Sequence, residues 1–177
     1  MTVAETARLR LRLLNPLDAP FILALLTDPA FRANVGDRGV HDLASAGRYI
    51  IEGPAASYAQ FGFGMFAVER KEDARPIGMC GLLRRDSHPD VEIGFAMLPI
   101  GRGHGYALEA ATASLRLGVE RFGLRRIVAI TAPDNAGSIR ILEQLGFRFE
   151  RMVRFTADGE SRLFIFEPTR TGLPHGS

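Results

Sequence analysis

The stretch Arg102-Gly103-His104-Gly105-Tyr106-Ala107 decides how the rest of this chain is read. Its two close glycines stand between an apolar run ending at Pro99 and a long segment of helical period. Glycine lets a backbone approach a ligand closely, and the first turn of a helix presents unpaired N–H groups with partial positive charge. Such a loop suits a pyrophosphate, though it would also serve as a plain connector. The short pattern Arg/Gln-x-x-Gly-x-Gly/Ala recurs by accident in on the order of one chain in five, so its surroundings must carry the reading. Two other phosphate-binding patterns are excluded by the residues. Tyr106 stands where a dinucleotide fingerprint beginning at Gly101 needs its last glycine, and no Gly-Lys-Ser/Thr of a P-loop occurs.

Downstream of the loop, Leu108, Ala111, Leu115, Val119 and Phe122 share one stripe, which predicts a helix over residues 103–122 closed by Gly123. Residues 126–132 read as a strand and residues 135–145 as a helix capped by Gly146. Residues 147–155 and 160–167 then pair as a hairpin over Asp158-Gly159. Upstream, residues 90–98 are a strand ended by Pro99, and residues 62–69 and 76–83 are two strands joined by the polar turn Arg70-Lys71-Glu72-Asp73. Arg8-Leu9-Arg10-Leu11-Arg12-Leu13 alternates strictly, leucines inward and arginines outward. Asn15-Pro16 opens a helix through Leu26 that stops near Asp28-Pro29. After a looser segment a second helix covers residues 42–52, with Gly53-Pro54 to end it.

The sum is a mixed α/β (α+β) arrangement of about seven strands, in which the fourth and fifth strands run parallel because a helix joins them. A length of 177 residues fits one domain, over residues 1–168, with a loose tail at 169–177. Cys80, the single cysteine, has no partner for an internal disulfide, and no Cys/His cluster offers a metal site. No run of 18 apolar residues and no signal-peptide pattern occurs, so the expected compartment is the cytoplasm, with no membrane contact. Of the 22 basic residues, only Lys71 is a lysine. The arginines are spread along the chain and not interleaved with aromatics, which speaks against nucleic acid as a partner.

The context of the loop is specific. Val91-Glu92-Ile93-Gly94-Phe95-Ala96-Met97-Leu98-Pro99 precedes it, Tyr106-Ala107-Leu108-Glu109-Ala110 follows, and Asn135-Ala136-Gly137-Ser138-Ile139-Arg140-Ile141-Leu142-Glu143-Gln144-Leu145-Gly146-Phe147 comes some thirty residues on. This array closely resembles the GCN5-related N-acetyltransferases (GNAT), and within them the group of ribosomal-protein N-terminal acetylases of the RimJ/RimL type. The resemblance spans roughly residues 6 to 167. It implies the acyl-CoA N-acyltransferase fold, a central sheet with helices on both faces and splayed fourth and fifth strands. It also implies acetyl-CoA as cosubstrate, bound at its pyrophosphate by Arg102, Gly103, His104, Gly105, Tyr106 and Ala107. The pantetheine arm would lie along Ala96, Met97 and Leu98, with Asn135 and Ser138 touching it. A homodimer is an expectation the same likeness allows.

For the chemistry, Glu92 shares a strand face with the small residues Gly94 and Ala96, leaving room for a ligand, and the family places a general base there. The same position also suits a structural glutamate paired with an arginine. Ser138 is the candidate donor of a proton to the departing thiolate, because no tyrosine stands between Asn135 and Phe147. Asn135 also reads simply as a helix N-cap. The expected reaction is direct attack of a primary amine on acetyl-CoA in a ternary complex, a protein N-terminal α-amino group being the acceptor the group resemblance implies. Small-molecule acceptors such as polyamines, amino acids or antibiotics remain alternatives. So does a module of the same fold that binds acetyl-CoA without turnover.

Overall fold

The computed structural model describes residues 1–156 and 159–169. One mixed sheet of eight strands runs through the molecule in the order β1-β2-β3-β4-β5-β6-β8-β7. The strands are β1 (Thr2–Glu5), β2 (Leu9–Arg12), β3 (Met65–Arg70), β4 (Arg75–Leu83), β5 (Val91–Met97), β6 (Ile127–Thr131), β7 (Arg148–Thr156) and β8 (Gly159–Phe166). The count exceeds the expected seven by β1, which has no apolar alternation and owes its form to antiparallel pairing with β2, Thr2 opposite Arg12. The hairpin is present as β7 and β8, with Thr156 opposite Gly159. Asp158 of the expected turn and residues 170–177 of the expected tail lie outside the described residues.

The helices are α1 (Ala19–Leu26), α2 (Pro29–Asn34), α3 (Leu43–Ile50), α4 (Ala56–Phe61), α5 (Tyr106–Arg116) and α6 (Ala136–Gln144). Two of them differ from expectation. Pro29 does not merely stop α1. It starts α2, for proline is compatible with a first helical turn, and Asp28 accepts the Phe31 N–H as its cap. Nor do Gly53 and Pro54 end the second helix. A π-helical turn over Ile51–Ala55 absorbs the missing N–H of Pro54, and the chain stays helical until Gly62 at φ +81°.

The two sheet faces follow from strand alternation. Met65 and Ala67 of β3 and Met79 of β4 face one way, where they pack with Ile22, Leu25 and Leu26 of α1 and Ala46 and Ile50 of α3. Phe66, Val68, Cys80 and Leu82 face the other way, against Ala110, Ala111 and Leu115 of α5 and Leu142 of α6. Helices thus cover both faces. Arg12 ties β2 to the start of α1 through two 2.9 Å bonds to Asp18, with Glu69 on its other side at 2.8 Å.

The feature that positions the site is where the sheet comes apart. β5 and β6 run parallel and pair at only two positions, Val91 with Ile127 and Glu92 with Val128. Beyond Glu92, β5 stays bonded to β4 as far as Met97 opposite Gly78, while β6 continues along β8. From Ile93 onward, one edge of β5 therefore borders a gap.

Candidate active site

A cavity of about 620 Å³ opens beside this gap. Glu92, Gly94 and Ala96 of β5 line it, with Ala129 to Ala132 at the end of β6 and with Asn135 and Ser138 at the start of α6. The remaining wall comes from the α2–α4 region, including Phe31, Tyr49, Ser57 and Phe61, and from β4 and the turn after it, including Met79, Leu83 and Arg85. Four expected site residues, Glu92, Ala96, Asn135 and Ser138, are brought to one space from two separate parts of the chain.

Glu92 is buried, 5% exposed. Its Oε2 accepts from Arg85 Nε at 2.8 Å and stands 3.3 Å from His88 Nε2, while Oε1 has no hydrogen-bond partner among the described residues. One oxygen is thus taken up in ion pairing with an arginine, and the other has none of these partners. Sequence reading missed Arg85 and His88 as its neighbours. The β4–β5 register was the signal, since Leu83 pairs with Glu92 and the following turn returns Arg85 to the same carboxylate. Asn135 Oδ1 accepts the Ser138 N–H at 3.3 Å, so Asn135 is the cap of α6 as well as a lining residue. Cys80 is fully buried against Ser114 Oγ, and burial pushes its thiol up to about 12, which removes it as a nucleophile.

The glycine-rich loop lies outside the cavity, past the turn Pro99–Gly101 that follows β5. Gly103 and Gly105 both sit at φ +78°, and a side chain added to Gly103 would meet no atom within 4 Å. The helix's first bond is from Glu109 N–H to the Gly105 carbonyl, 3.1 Å, so the amides of Tyr106, Ala107 and Leu108 have no intrahelical acceptor. Open glycines and unpaired amides are what a diphosphate needs, and here the residues fit the group. Of the strand positions, Ala96 borders the cavity, and Met97 turns its side chain into the main core. Leu98 has both backbone groups engaged, its N–H on the Ile77 carbonyl and its carbonyl on the Gly101 N–H, each 2.8 Å.

The loop is held by side chains that sequence reading had assigned to a strand surface. Arg8 donates to the His104 carbonyl at 2.8 Å and to Glu109 Oε2 at 2.7 Å, and its guanidinium lies 4.4 Å from the Tyr106 ring centre. Thr6 Oγ1 adds a 2.5 Å bond to Glu109 Oε1. Glu109 lies in the first turn of α5, where its charge favours the helix dipole but would oppose a phosphate, and Arg8 offsets it. Arg102 is not turned toward the loop mouth but bonds Asp28 at 2.5 Å, linking the loop to the start of α2. Among the described residues no group of three or more His, Cys, Asp or Glu could hold a metal, and no helix is long and apolar enough to cross a membrane.

With this geometry the comparisons agree. Residues 8–148 match the family described as "Acetyltransferase (GNAT) domain", so the chain belongs to the GNAT acetyltransferases, enzymes that take their acyl group from acetyl-CoA. It is similar to the uncharacterized N-acetyltransferase YoaA of Bacillus subtilis (strain 168), 29% identical over 153 residues that cover 86% of each chain. Among solved structures it resembles an acetyltransferase from Agrobacterium tumefaciens, with a TM-score of 0.80 and 27% identity over 93% of each chain. The ribosomal-protein-S5-alanine acetyltransferase of Vibrio fischeri shares the fold, with a TM-score of 0.74 and 17% identity over 93% of this chain and 95% of that one.

Proposed function

We propose that this N-acetyltransferase passes acetyl from acetyl-CoA directly to an α-amino group, of the kind a protein N-terminus presents, while both substrates are bound. The observation that carries the reading is the single cavity at the β5–β6 gap, where Glu92, Ala96, Asn135 and Ser138 meet. Acetyl-CoA supplies an activated carbonyl, and the chain's residues hold and relay protons around it. The loop amides ahead of Glu109 and the open position Gly103 take the diphosphate, and Ala96 and Met97 lie along the arm. As the amine nitrogen bonds the carbonyl carbon and the carbon–sulfur bond breaks, the amine's proton passes to Glu92 Oε1. Ser138, which lines the same cavity, passes its proton to the thiolate and takes one back by way of solvent as Glu92 gives up the proton it received, so that both residues end as they began.

An α-amino group fits better than a lysine or polyamine amine. Its ordinary pKa is near 7.7–8.0, against about 10.4 for lysine, so a large fraction is already neutral near pH 8. Glu92 has one oxygen committed to Arg85 and His88, and an acceptor that needs little deprotonation suits it. Direct transfer is favoured over an acyl-cysteine because Cys80 is buried on the other sheet face. The test is thiol release from acetyl-CoA with a panel of α-amino peptides, lysine peptides and polyamines. Tight acetyl-CoA binding with no release for any acceptor would replace catalysis by a binding module.

A further inference from the structure

The cavity's charged lining is Arg38, Arg84 and Arg85 against Glu52 and Glu92. The carboxylate of Glu92 is matched by Arg85 through Nε alone. The two terminal nitrogens of that guanidinium have no hydrogen-bond partner among the described residues, and the side chain is 36% exposed. Arg38 lines the same cavity and is exposed, with no ion pair among the described residues. Tyr49 lines the same cavity. Burial pushes its phenol up, and the positive charges of Arg38 and Arg85 each pull it back down. The phenol stays neutral and remains a hydrogen-bond donor.

We propose that Arg38, Arg85 and the Tyr49 hydroxyl form a carboxylate subsite, so that the acceptor is an amine bearing a carboxylate. Two planar cationic forks and one neutral donor match the oxygens of a carboxylate, and such charge-assisted bonds are the stronger class. Arg85 then measures the acceptor. With Nε on Glu92 and its terminal nitrogens on the acceptor's carboxylate, one rigid group sets the spacing between that anion and the oxygen that receives the proton. A polyamine brings only positive charge to a wall where Arg38 and Arg84 already outnumber the one free acid, Glu52. The inference rests on the transfer reading above and specifies its acceptor. The carboxylate has two chemical sources, the α-carboxylate of a free amino acid or an acidic side chain on a peptide N-terminus.

Two matched acceptor pairs separate these sources: alanine against alaninamide, and Asp-Ala-Ala-amide against Asn-Ala-Ala-amide, each measured as thiol release. The acid member of at least one pair should lead by roughly tenfold or more in kcat/KM, and Arg38→Gln and Arg85→Gln should each reduce that lead to about threefold or less. Arg38 is exposed, so its variant keeps the test sound if the Arg85 variant misfolds. Calorimetry with N-acetylaspartate and N-acetylasparagine in the presence of coenzyme A reads the subsite without turnover, and the acid should bind roughly tenfold tighter. Ratios near one in both pairs and in calorimetry, or a faster reaction with spermidine than with either acid, would overturn the subsite. If no acceptor releases thiol but the acid preference in calorimetry persists, the transfer reading falls and the subsite stands.

Discussion

In the loop before α5 the side chains are bound to the protein and the backbone is left over. Arg8 holds Glu109 and the His104 carbonyl, Arg102 holds Asp28, and the amides of Tyr106 to Leu108 have no intrahelical acceptor. At the β5–β6 gap the arrangement is reversed. The backbone of β5 is bonded to β4 along its length, and the side chains of Glu92, Asn135 and Ser138 meet the open space. In the proposed function the loop recognises phosphate with groups every residue possesses, and the gap supplies the groups particular to one reaction. Side-chain truncation should matter most at the gap, and backbone distortion should matter most at the loop.

The sharpest way to break this contrast is Glu92→Gln. Loss of the proton acceptor should lower kcat by on the order of a hundredfold or more, with the acetyl-CoA Kd within about twofold of the parent. An equal loss in Kd would show that the two regions are not separable. Next comes Gly105→Val, at a residue held at φ +78°. The left-handed backbone should cost a branched side chain about 1–2 kcal/mol, which calorimetry would read as acetyl-CoA binding roughly five- to thirtyfold weaker, with kcat at saturation little changed.

A pH series sharpens the account of the Arg8 clamp. Burial raises the Glu109 carboxyl, but the Thr6 hydroxyl, the Arg8 backbone and the Arg8 side chain together outweigh it and hold the group below its ordinary value. A carboxylate depressed in this way stabilises the fold above its unfolded pKa, near 4.3, and the contribution is lost as pH falls through the lower folded value. Glu109→Gln should therefore be less stable than the parent at pH 7 by on the order of 0.5–1 kcal/mol, allowing for solvent screening, and the gap should shrink by pH 3 in denaturant titrations. A gap that is constant with pH would assign the loss to packing instead. The smallest effect is expected at Thr131, whose buried hydroxyl at the end of β6 has no hydrogen-bond partner among the described residues. Thr131→Val should be neutral or raise stability by less than about 1 kcal/mol, read as an unchanged or slightly higher Tm. A clear loss would mean that the hydroxyl is bonded within the folded chain.

The parts legible from the residues were those set by local rules. Helical period placed α5, although the helix begins at Tyr106 and not at residue 103, strict alternation placed β2, and Gly123 marked the left-handed close of that helical run. Asn135 read correctly as a cap because its partner amide lies only three residues away. The misreadings have a common cause. Pro29 and Pro54 look like breaks when only their local preferences are weighed, but a first turn and a π-helical turn both tolerate a missing N–H. β1 carries no pattern of its own and exists only by pairing.

From the amino-acid order alone came the mixed sheet with a helix-linked parallel pair, the loop with its two glycines, and Glu92 on the strand face it shares with Gly94 and Ala96. All of these depend on interactions within a few residues or on simple periodicity. Tertiary structure alone decided that Arg85 and His88 close on one oxygen of that carboxylate, and that Arg8 reaches 101 residues along the chain to Glu109. Charged partners so far apart are chosen by strand register and the docking of α5 on the sheet, and neither is written in the local sequence.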